Sequence, residues 1–440
     1  MKYYSTNGKA PIADLHKAVV KGLAEDRGLY MPEKINKLPK EFFDNIEKMS
    51  FQEIAYTVAS AFFGEDVDPD ALHDIVYDTL QFDCPVVNVK DNIYTLELFH
   101  GPTLAFKDVG ARFMARLLQY FIKQENNHKE VNVLVATSGD TGSAVANGFL
   151  GVDGIHVYVL YPKGKVSPIQ ECQFTTLGKN ITAIEVDGVF DDCQALVKNA
   201  FMDAELNEHM KLTSANSINV ARFLPQAFYY FNAYARMKEI ANTQHLSPNT
   251  QLVMCVPSGN FGNICAALFG HEMGLPIKRF IAANNANDIF YNYLHTGKYE
   301  PKPSKQTLAN AMDVGDPSNF ARIYDLYGKS HAKITSLISG ATYSDEQIKA
   351  TMRECYKDSG YILDPHGACG YQALKDGLQA GEVGVFCETA HPAKFKEKVD
   401  DILGIDVEIP ERLAAFMRGQ KQSVPMSKDF ADFKDYLMRQ

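Results

Sequence analysis

Residues 131–151 read VNVLVATSGDTGSAVANGFLG, in which an apolar run leads into a glycine-bearing loop and then into a segment of small residues. Residues 251–274, QLVMCVPSGNFGNICAALFGHEMG, repeat this order. Apolar runs of this length are typical of strands that are buried on both faces. Further runs of this kind occur at 156–164, 181–188, 278–285 and 382–392. Strands that alternate with helices in this way predict an α/β fold, with parallel-type sheets flanked by helices.

The composition limits the classes of function. The 440 residues are 46% hydrophobic and 22% charged, and the net charge is −10, which argues against a nucleic-acid partner or an anionic membrane surface. The first residues, MKYYSTNGKAPI, lack the apolar core of a signal peptide. No run approaches the roughly 18 apolar residues of a membrane span. The eight cysteines are scattered without a CxxC pair, so we expect reduced thiols in a cytoplasmic protein, with no disulfide frame and no zinc site.

The two ends of the chain differ from the middle. Amphipathic patterns at 14–26, 51–64 and 71–82 predict a mainly helical N-terminal region. The alternation of strands and helices follows it. The residues after about 405 are predicted to be helical, and we expect them to form a surface element.

A lysine interrupts an apolar pattern within residues 96–118, LELFHGPTLAFKDVGARFMARLL. Gly101 and Pro102 end the preceding strand, and Thr103 is predicted to cap the next helix. Lys107 falls within the apolar stripe of that helix, so we expect it to be buried. A lysine on such a stripe often extends its ammonium group to water, which is the structural interpretation. If the amine is desolvated instead, its pKa falls, and the neutral amine attacks carbonyl groups.

Two glycine loops open predicted helices and suit anions. Gly259 and Gly262 allow backbone N–H groups of residues 259–263 to converge at the positive end of a helix, where a phosphate binds well. The loop at 137–143 adds hydroxyl groups to a second helix start. Either loop is also explained as a tight turn before a capped helix. A reactive amine and a phosphate cradle are together what pyridoxal phosphate requires.

A polar group follows in SANSINVARFLPQ, residues 214–226. Arg222 lies close in sequence to Asn216, Ser217 and Asn219, and its guanidinium can form a forked contact with an oxyanion. The alternative interpretation is an ordinary surface helix start.

Two histidines next to prolines, His366 and His391, are interpreted as structural, and Thr389 closes the predicted strand VGVFCET at 383–389. The motifs GxGxxG, GxxxxGK[ST], HExxH and GxSxG are absent from the sequence. Dinucleotide binding, ATP binding, zinc-dependent hydrolysis and serine-hydrolase chemistry therefore have no support.

The ordered set of motifs resembles the threonine synthase family, which belongs to the tryptophan-synthase-β-like, fold type II pyridoxal phosphate enzymes. Matching segments span nearly the whole chain. The length and the aspartate in SGDTG resemble the longer microbial and fungal branch, and Arg27 stands where relatives often have glycine. The segments are STNG (5–8), GLAEDRGLYMPE (22–33), HGPTLAFKDVG (100–110), SGDTGSA (138–144), NSINVAR with Gln226 (216–222), SGNFGN (258–263) and ETAHPAKF (388–395).

The resemblance implies a domain organisation. Residues 1–85 correspond to the mainly helical N-terminal region of the family. Residues 86–405 correspond to the pyridoxal phosphate catalytic region, a large domain with a smaller α/β domain inserted at roughly 110–230. Residues 406–440 correspond to a C-terminal helical tail.

The resemblance also implies which residues bind pyridoxal 5'-phosphate. Lys107 would be the Schiff-base lysine and the catalytic residue. Thr389 would place its hydroxyl at the pyridine nitrogen, and Asp140 would face the cofactor's phenolic oxygen. A carboxylate close to phosphates is unfavourable, so we expect Asp140 to be turned away or protonated. The cofactor phosphate would be held by Gly259, Asn260, Phe261, Gly262 and Asn263. No metal is expected.

The implied substrate is O-phospho-L-homoserine. Ser138 and Thr141 would face it, and Asn216, Ser217 and Arg222 would hold its phosphate. The implied reaction yields L-threonine and phosphate from this substrate and water, as the last step of threonine biosynthesis.

Two alternatives stay open at this point. One is a phospho-lyase of the same family that stops at elimination and releases a 2-oxo acid. The other is a catalytically silent pyridoxal phosphate-binding protein. No obligatory protein partner is inferred from the sequence.

Overall fold

The computed structural model describes residues 1–127, 129–247 and 249–440, which contain fourteen strands and twenty α-helices. The strands are β1 (Lys2–Ser5), β2 (Ala13–Asp14), β3 (Tyr30–Pro32), β4 (Val86–Lys90), β5 (Ile93–Glu97), β6 (Val131–Ala136), β7 (Ile155–Pro162), β8 (Ile181–Asp187), β9 (Lys211–Ser214), β10 (Gln251–Pro257), β11 (Arg279–Asn284), β12 (Ile338–Thr342), β13 (Glu382–Glu388) and β14 (Val424–Ser427). The helices are α1 (Leu15–Lys21), α2 (Lys40–Asn45), α3 (Phe51–Phe63), α4 (Pro69–Thr79), α5 (Lys107–Gln124), α6 (Asp140–Phe149), α7 (Pro168–Thr175), α8 (Phe190–Met202), α9 (Ala204–His209), α10 (Val220–Phe223), α11 (Ala227–Gln244), α12 (Gly262–Glu272), α13 (Ile289–Thr296), α14 (Phe320–Leu326), α15 (His331–Leu337), α16 (Asp345–Ser359), α17 (Pro365–Gly377), α18 (Lys396–Leu403), α19 (Glu411–Met417) and α20 (Phe430–Met438).

The described chain divides into two compact units. Unit 1 consists of Met1, Met31–Gly101 and Phe223–Glu408, and unit 2 consists of Lys2–Tyr30, Pro102–Arg222 and Ile409–Gln440. Each unit has its own mainly parallel sheet with helices, so the predicted α/β class is confirmed. The domain boundaries at 85 and 405, and the insertion at 110–230, stay predictions.

The sheet of unit 1 has six strands in the order β12-β11-β10-β13-β5-β4. Neighbouring strands are parallel except for the β4–β5 pair. β13 lies in the interior of the sheet, and all seven of its residues are buried. This position explains why its sequence is a nearly continuous apolar run.

The sheet of unit 2 has five parallel strands in the order β14-β8-β7-β6-β9. All six residues of β6 are buried. The side chain of Val133 is therefore enclosed on a strand whose neighbours are β7 on one side and β9 on the other. The apolar run Val131–Ala136 forms this interior strand.

The strand orders bring predicted site loops together within each unit. In unit 1, β10 and β13 are parallel neighbours, so the 258–263 loop and Thr389 follow strands that end at the same edge of the sheet. In unit 2, β6 and β9 are parallel neighbours, so residues 137–141 and Asn216 also follow strands at one edge. The carboxyl edge of a parallel sheet is the usual position of ligand sites in α/β proteins.

The N-terminal region is mainly helical, as predicted, and it also contains a small sheet in the order β2-β1-β3 that the patterns did not predict. Helix α3 starts with a capping box in which Ser50 and Glu53 bind each other's backbone N–H groups. Helix α1 ends at Lys21, because Gly22 takes a φ of 75° and its N–H group bonds to the Ala18 carbonyl. Arg27 has a φ of 66°, a left-handed conformation that favours glycine.

The expectation that the tail after residue 405 is only a helical surface element is wrong. Val424–Ser427 form β14, which pairs in parallel with β8 at the edge of the unit 2 sheet. Phe433 and Leu437 of α20 are fully buried in the hydrophobic cluster beneath that sheet. The tail is therefore part of the core of unit 2.

Two sequence expectations concern membranes and thiols. Among the described residues, we find no helix that combines the length and apolar character needed to span a bilayer. All eight cysteines lie within the described residues; none of them is in a disulfide, and seven of them are buried. Burial raises the pKa of several of these thiols, Cys193 and Cys265 among them, which makes them poor nucleophiles.

Candidate functional site

Lys107 is the first residue of α5, and its amine has a defined partner. The Nζ atom donates a hydrogen bond to Oγ1 of Thr141 at 2.7 Å. Thr141 lies in the first turn of α6, so two helices of unit 2 hold this contact. Lys107 is half-buried, which corrects the prediction of a buried side chain. The structure thus brings together two residues that the sequence nominated 34 positions apart.

The prediction that Thr103 caps α5 is wrong. Helix α5 begins at Lys107, and the side chain of the preceding residue, Phe106, makes no capping hydrogen bond. Thr103 instead donates from its backbone N–H and its hydroxyl to the buried carboxylate of Asp108, at 2.9 and 2.6 Å. The acidic residue in the first turn therefore pulls the preceding loop onto the helix, and this fixes the backbone just before Lys107.

The 137–143 loop is organised by its own hydroxyl groups. Oγ1 of Thr137 accepts from the N–H groups of Gly139 and Gly142, at 2.9 and 2.8 Å. Ser138 and Thr141 are half-buried on this loop. Gly139 has a φ of 147°, and a Cβ there would lie 2.7 Å from the side-chain amide of Gln170. The loop geometry therefore requires glycine at this position.

Asp140 is buried, and its carboxylate has a partner that sequence analysis missed. Nε2 of Gln170, on α7, donates to Oδ1 of Asp140 at 3.0 Å. Both side chains are at most 5% exposed. The contact fixes the orientation of the Asp140 carboxyl group relative to α7. No sequence pattern marked Gln170, because it lies thirty residues away on a helix of ordinary composition.

Asn216 and Arg222 follow β9 in unit 2. Nδ2 of Asn216 donates to the carbonyl of Ala136, at the end of the neighbouring strand β6. Ser217 is half-buried beside it, while Arg222 is only 1% exposed. Arg222 is therefore not part of a surface helix start, which was the alternative interpretation of this segment.

Arg222 packs closely against the helix that carries Lys107. A Cβ on Gly110 would lie 2.3 Å from the carbonyl oxygen of Arg222 and 3.4 Å from its Nε. Gly110 is one turn along α5 from Lys107. The absence of a side chain at Gly110 allows the backbone of Arg222 to reach this helix.

In unit 1, the 258–263 loop joins β10 to α12. Phe261, the residue before the helix, has a φ of 65°, and its ring packs against Phe290. The side chain of Asn263 is used within the loop: its amide donates to the Pro257 carbonyl, and its oxygen accepts from Ile264 N–H.

The carbonyl of Phe261 accepts from Cys265 N–H. The first four N–H groups of an α-helix have no partner in their own helix, and in α12 these include the N–H groups of Gly262 and Asn263. N–H groups at the start of a helix bind a phosphate favourably, and the assignment of this loop to the cofactor phosphate stays a prediction.

Asn260 is anchored by both its side chain and its backbone. Its Oδ1 accepts from the Ser318 hydroxyl at 3.2 Å, and its carbonyl accepts from Asn319 N–H at 3.1 Å. Gly259 is in close contact with a different segment, since a Cβ there would lie 2.7 Å from the carbonyl oxygen of Ala311. The loop is therefore fixed at two successive residues.

Thr389 is buried directly after β13, next to a cluster of buried acids. Glu388 accepts from the backbone N–H of Asp364 at 2.8 Å. Burial, together with the carboxylate of Asp364, raises the pKa of Glu388 well above its usual range, which favours the protonated form of this side chain. A Cβ on Gly367 would overlap Oε2 of Glu388, so a side chain at this position would displace the carboxyl group of Glu388.

His391 fits its structural interpretation. Its Nδ1 accepts from Ala393 N–H at 3.0 Å, and its ring packs edge-on against Phe99. Burial lowers the pKa of His391 to about 4, so the ring is neutral.

Known protein families match almost the whole length of this chain. Residues 82–387 match the family model for pyridoxal-phosphate dependent enzymes, residues 2–80 match the model for the threonine synthase N terminus, and residues 367–437 match that for the threonine synthase C-terminal region. The threonine synthase of Escherichia coli K12 is 43% identical over 438 residues, which cover 100% of this chain and 99% of the relative.

The chain belongs to the threonine synthase family.

Solved structures agree with this assignment. The crystal structure of threonine synthase from Escherichia coli superposes with a TM-score of 0.92 over the whole of both chains, at 43% identity. The structure of pyridoxal phosphate-bound threonine synthase from Brucella melitensis gives 0.91 at 34% identity, covering 100% of this chain and 99% of that one. The yeast enzyme gives 0.87 at 31% identity and covers 100% and 98%. The resemblance inferred from the motifs is confirmed.

Family membership establishes the class of chemistry. The chain is a pyridoxal 5'-phosphate-dependent lyase with threonine synthase activity, and it acts on a small-molecule substrate. The comparisons do not favour the two alternatives, a phospho-lyase that stops at elimination and a silent cofactor-binding protein.

The residues of each unit fit the cofactor. In unit 2, Lys107 offers an amine held at 2.7 Å from a hydroxyl group. In unit 1, the start of α12 offers the N–H groups of Gly262 and Asn263, and the tight packing at Gly259 leaves no room for a side chain. These are the two features that an aldehyde and a phosphate group require.

Proposed function

We propose that this chain converts O-phospho-L-homoserine and water into L-threonine and phosphate, as the last step of threonine biosynthesis. The observation that carries the proposal is the Lys107–Thr141 contact, because it presents one lysine amine at the start of a helix within a family of pyridoxal phosphate enzymes. Bound pyridoxal phosphate supplies an electron sink for the carbon atoms next to the substrate's amine.

Lys107 carries the cofactor and moves the protons in this proposal. A single amine on a flexible four-carbon stem reaches substrate Cα and Cβ in turn. The hydroxyl of Thr141 accepts from Nζ of Lys107 and so restricts where the amine points. The hydroxyl of Thr389 is assigned to the pyridine nitrogen. A neutral hydroxyl there leaves the ring nitrogen largely uncharged.

The phosphate groups are assigned to different residues. The N–H groups at the start of α12, with residues 259–263, bind the cofactor phosphate. Arg222, Asn216 and Ser217 bind the substrate phosphate, and the guanidinium stabilises that group as it leaves and gains charge. Support for Arg222 comes from its burial, since a buried guanidinium binds an anion far more strongly than an exposed one.

Asp140 is proposed to shape the loop without binding phosphate. Its carboxylate accepts from the Gln170 amide at 3.0 Å. This contact orients the carboxyl group of Asp140 towards α7, and Ser138 and Thr141 are the half-buried groups of the loop. Ser138 is assigned to the substrate.

The cellular setting is also a proposal. Eight free cysteines support a reducing compartment, and we propose the cytoplasm. The net charge of −10 supports the absence of a nucleic-acid or anionic-membrane partner.

The test identifies the product and the labelled residue. The holoenzyme is incubated with O-phospho-L-homoserine, and amino acids, 2-oxo acids and phosphate are measured. We expect equal amounts of threonine and phosphate; 2-oxobutyrate and ammonia would instead establish the elimination-only enzyme. Borohydride followed by peptide mapping should find the cofactor on Lys107, and Lys107→Ala should abolish turnover. Lys123→Ala, at the exposed end of the same helix, is the matched control and should keep full activity.

A further inference from the structure

His366 has two partners in unit 1 that fix its ring. Nδ1 lies 2.5 Å from Oδ2 of Asp364, and Nε2 lies 3.1 Å from the backbone nitrogen of Ala311. The ring is 2% exposed and Asp364 is fully buried. The other carboxylate oxygen of Asp364 accepts from Gly367 N–H at 2.7 Å, at the start of α17.

These partners determine the protonation state of the ring. A backbone N–H group can only donate, so Nε2 must carry a lone pair that accepts from Ala311. The single ring proton is therefore on Nδ1, which donates to Asp364. Asp364 accepts from two groups, Nδ1 of His366 and the N–H group of Gly367.

Ala311 connects His366 to the loop before α12. It lies in the 3₁₀ turn Asn310–Met312, where its N–H group faces His366. Its carbonyl oxygen is 2.7 Å from the position of a Cβ on Gly259, and Cα of Met312 is 3.0 Å from that position. The turn and the loop are therefore in backbone contact, with no side chain between them to absorb a movement.

The other end of the turn is anchored independently. Oδ1 of Asp313 accepts from the Thr307 hydroxyl at 2.7 Å and from the Asn285 amide at 2.9 Å, and Oδ2 accepts from Thr307 N–H. Because the turn is held at both ends, its backbone keeps its position against Gly259. Of these two anchors, His366 is the one that bonds to the residue in contact with Gly259.

We propose that His366 is a positioning residue for the cofactor: it holds Ala311 against Gly259 and thereby fixes the backbone that binds the cofactor phosphate. The inference rests on the proposed assignment of residues 259–263 to that phosphate. It adds that Nε2 of His366 must accept a hydrogen bond from Ala311 N–H. The sequence had marked this histidine only as structural.

Two substitutions separate the two bonds of the ring. The amide of glutamine reaches the place of Nε2, so His366→Gln keeps an acceptor for Ala311 N–H. The amide of asparagine reaches the place of Nδ1, so His366→Asn keeps the bond to Asp364 and loses that acceptor. His366→Phe removes both bonds at similar volume. His331→Phe is the control, because His331 also bonds to backbone groups of unit 1, the carbonyls of Tyr293 and Leu294.

The readout is the dissociation constant of pyridoxal 5'-phosphate, obtained by dialysing each holoenzyme and measuring the retained cofactor by absorbance. A buried N–H group without an acceptor costs enough to weaken binding about tenfold. We expect this loss in His366→Asn and His366→Phe, and near-parent affinity in His366→Gln and His331→Phe. If Asn retains the cofactor as well as the parent, or if Gln and Asn lose it equally, the inference is wrong.

A second variant distinguishes this failure from failure of the loop assignment. Gly262→Val obstructs the loop directly and should weaken binding whatever His366 does. If Gly262→Val binds the cofactor normally, then the assignment of residues 259–263 has failed. If Gly262→Val loses affinity while the His366 series shows no difference between Asn and Gln, only the role of His366 is refuted.

Discussion

Gly110→Ala is expected to impair the enzyme although it replaces a helix-breaking residue by the best helix former. In a helix with free space, this change stabilises a protein by about 1 kcal/mol. At Gly110 the new Cβ would lie 2.3 Å from the carbonyl oxygen of Arg222, whereas carbon–oxygen contacts are normally about 3.3 Å or longer. The atoms must therefore separate by about 1 Å. A backbone carbonyl cannot rotate away as a side chain can, so α5 or the Arg222 segment has to move.

The cost of such overpacking is about 1–3 kcal/mol, so the net loss of stability reaches about 2 kcal/mol after the gain in helix propensity. The effect on activity should be larger. Lys107 and Arg222 both border the displaced contact, and a displacement of about 1 Å at catalytic groups lowers kcat/KM by up to about 100-fold. Urea unfolding and steady-state kinetics measure the two effects.

Gly377→Ala is the matched control. Gly377 also lies in a helix, α17, but its Cβ would meet only the terminal methyl group of Ile281, at 3.3 Å. We expect unchanged or slightly higher stability and full activity for this variant. A Gly110→Ala enzyme that is stabilised by about 1 kcal/mol and keeps parental kcat/KM would refute the reasoning from the Arg222 contact.

Three further predictions follow from other contacts. Arg222→Ala should retain the yellow cofactor but lose about 30- to 150-fold in kcat/KM for O-phospho-L-homoserine, because a forked contact with phosphate contributes about 2–3 kcal/mol. Arg222→Lys should restore only part of this loss. An unchanged kcat/KM in Arg222→Ala would show that the substrate phosphate binds elsewhere. Gly262→Val should release pyridoxal phosphate more readily on dialysis, since a side chain blocks backbone approach; equal retention would contradict the loop assignment. Hydrogen bonds from Arg279 lower the pKa of the buried Glu382 carboxylate to about 2. The folded-state pKa is below the unfolded one, so this stabilisation is complete above about pH 5 and is lost as the pH falls towards 2, about 2 kcal/mol of it by pH 3. When the urea midpoint is plotted against pH, Glu382→Gln should show a smaller decrease than the parent between about pH 5 and pH 2. If the two curves run parallel over this range, Glu382 contributes nothing there.

The parts of the fold that sequence predicted are those with a strong local pattern. β6 and β10 were found because each is an apolar run followed by a glycine loop, and both runs are buried strands in the structure. The edge strand β14 was missed. It has four residues, one of them proline, and only Met426 is buried, so no alternation marks it. Its pairing with β8, more than 200 residues away, is a long-range contact.

The candidate site was predicted in its residue types but not in its contacts. Lys107 was singled out because its charge breaks an apolar stripe, and the order of the motifs identified the family. Gln170 could not be found, since glutamine on a helix has no distinctive pattern and its bond to Asp140 depends on how α6 and α7 pack. The assignment of Thr103 as a cap failed because Asp108 competes for its donors, a choice that only the three-dimensional turn decides.

The interior position of β13 affects how the polypeptide acquires its structure during synthesis. β13 pairs with β10 on one side and with β5 on the other, and within the six-stranded sheet it is the last strand to emerge from the ribosome. Glu97 and Glu382 are 285 residues apart, so at roughly 5–20 residues per second β13 is synthesised about 15–60 s after β5. Until β13 emerges, the edges of β5 and β10 that face it in the finished sheet have no partner, which makes them targets for chaperones and for misassociation between neighbouring nascent chains. Yield on expression should therefore depend on translation rate and on chaperone supply more than the stability of the finished protein would suggest.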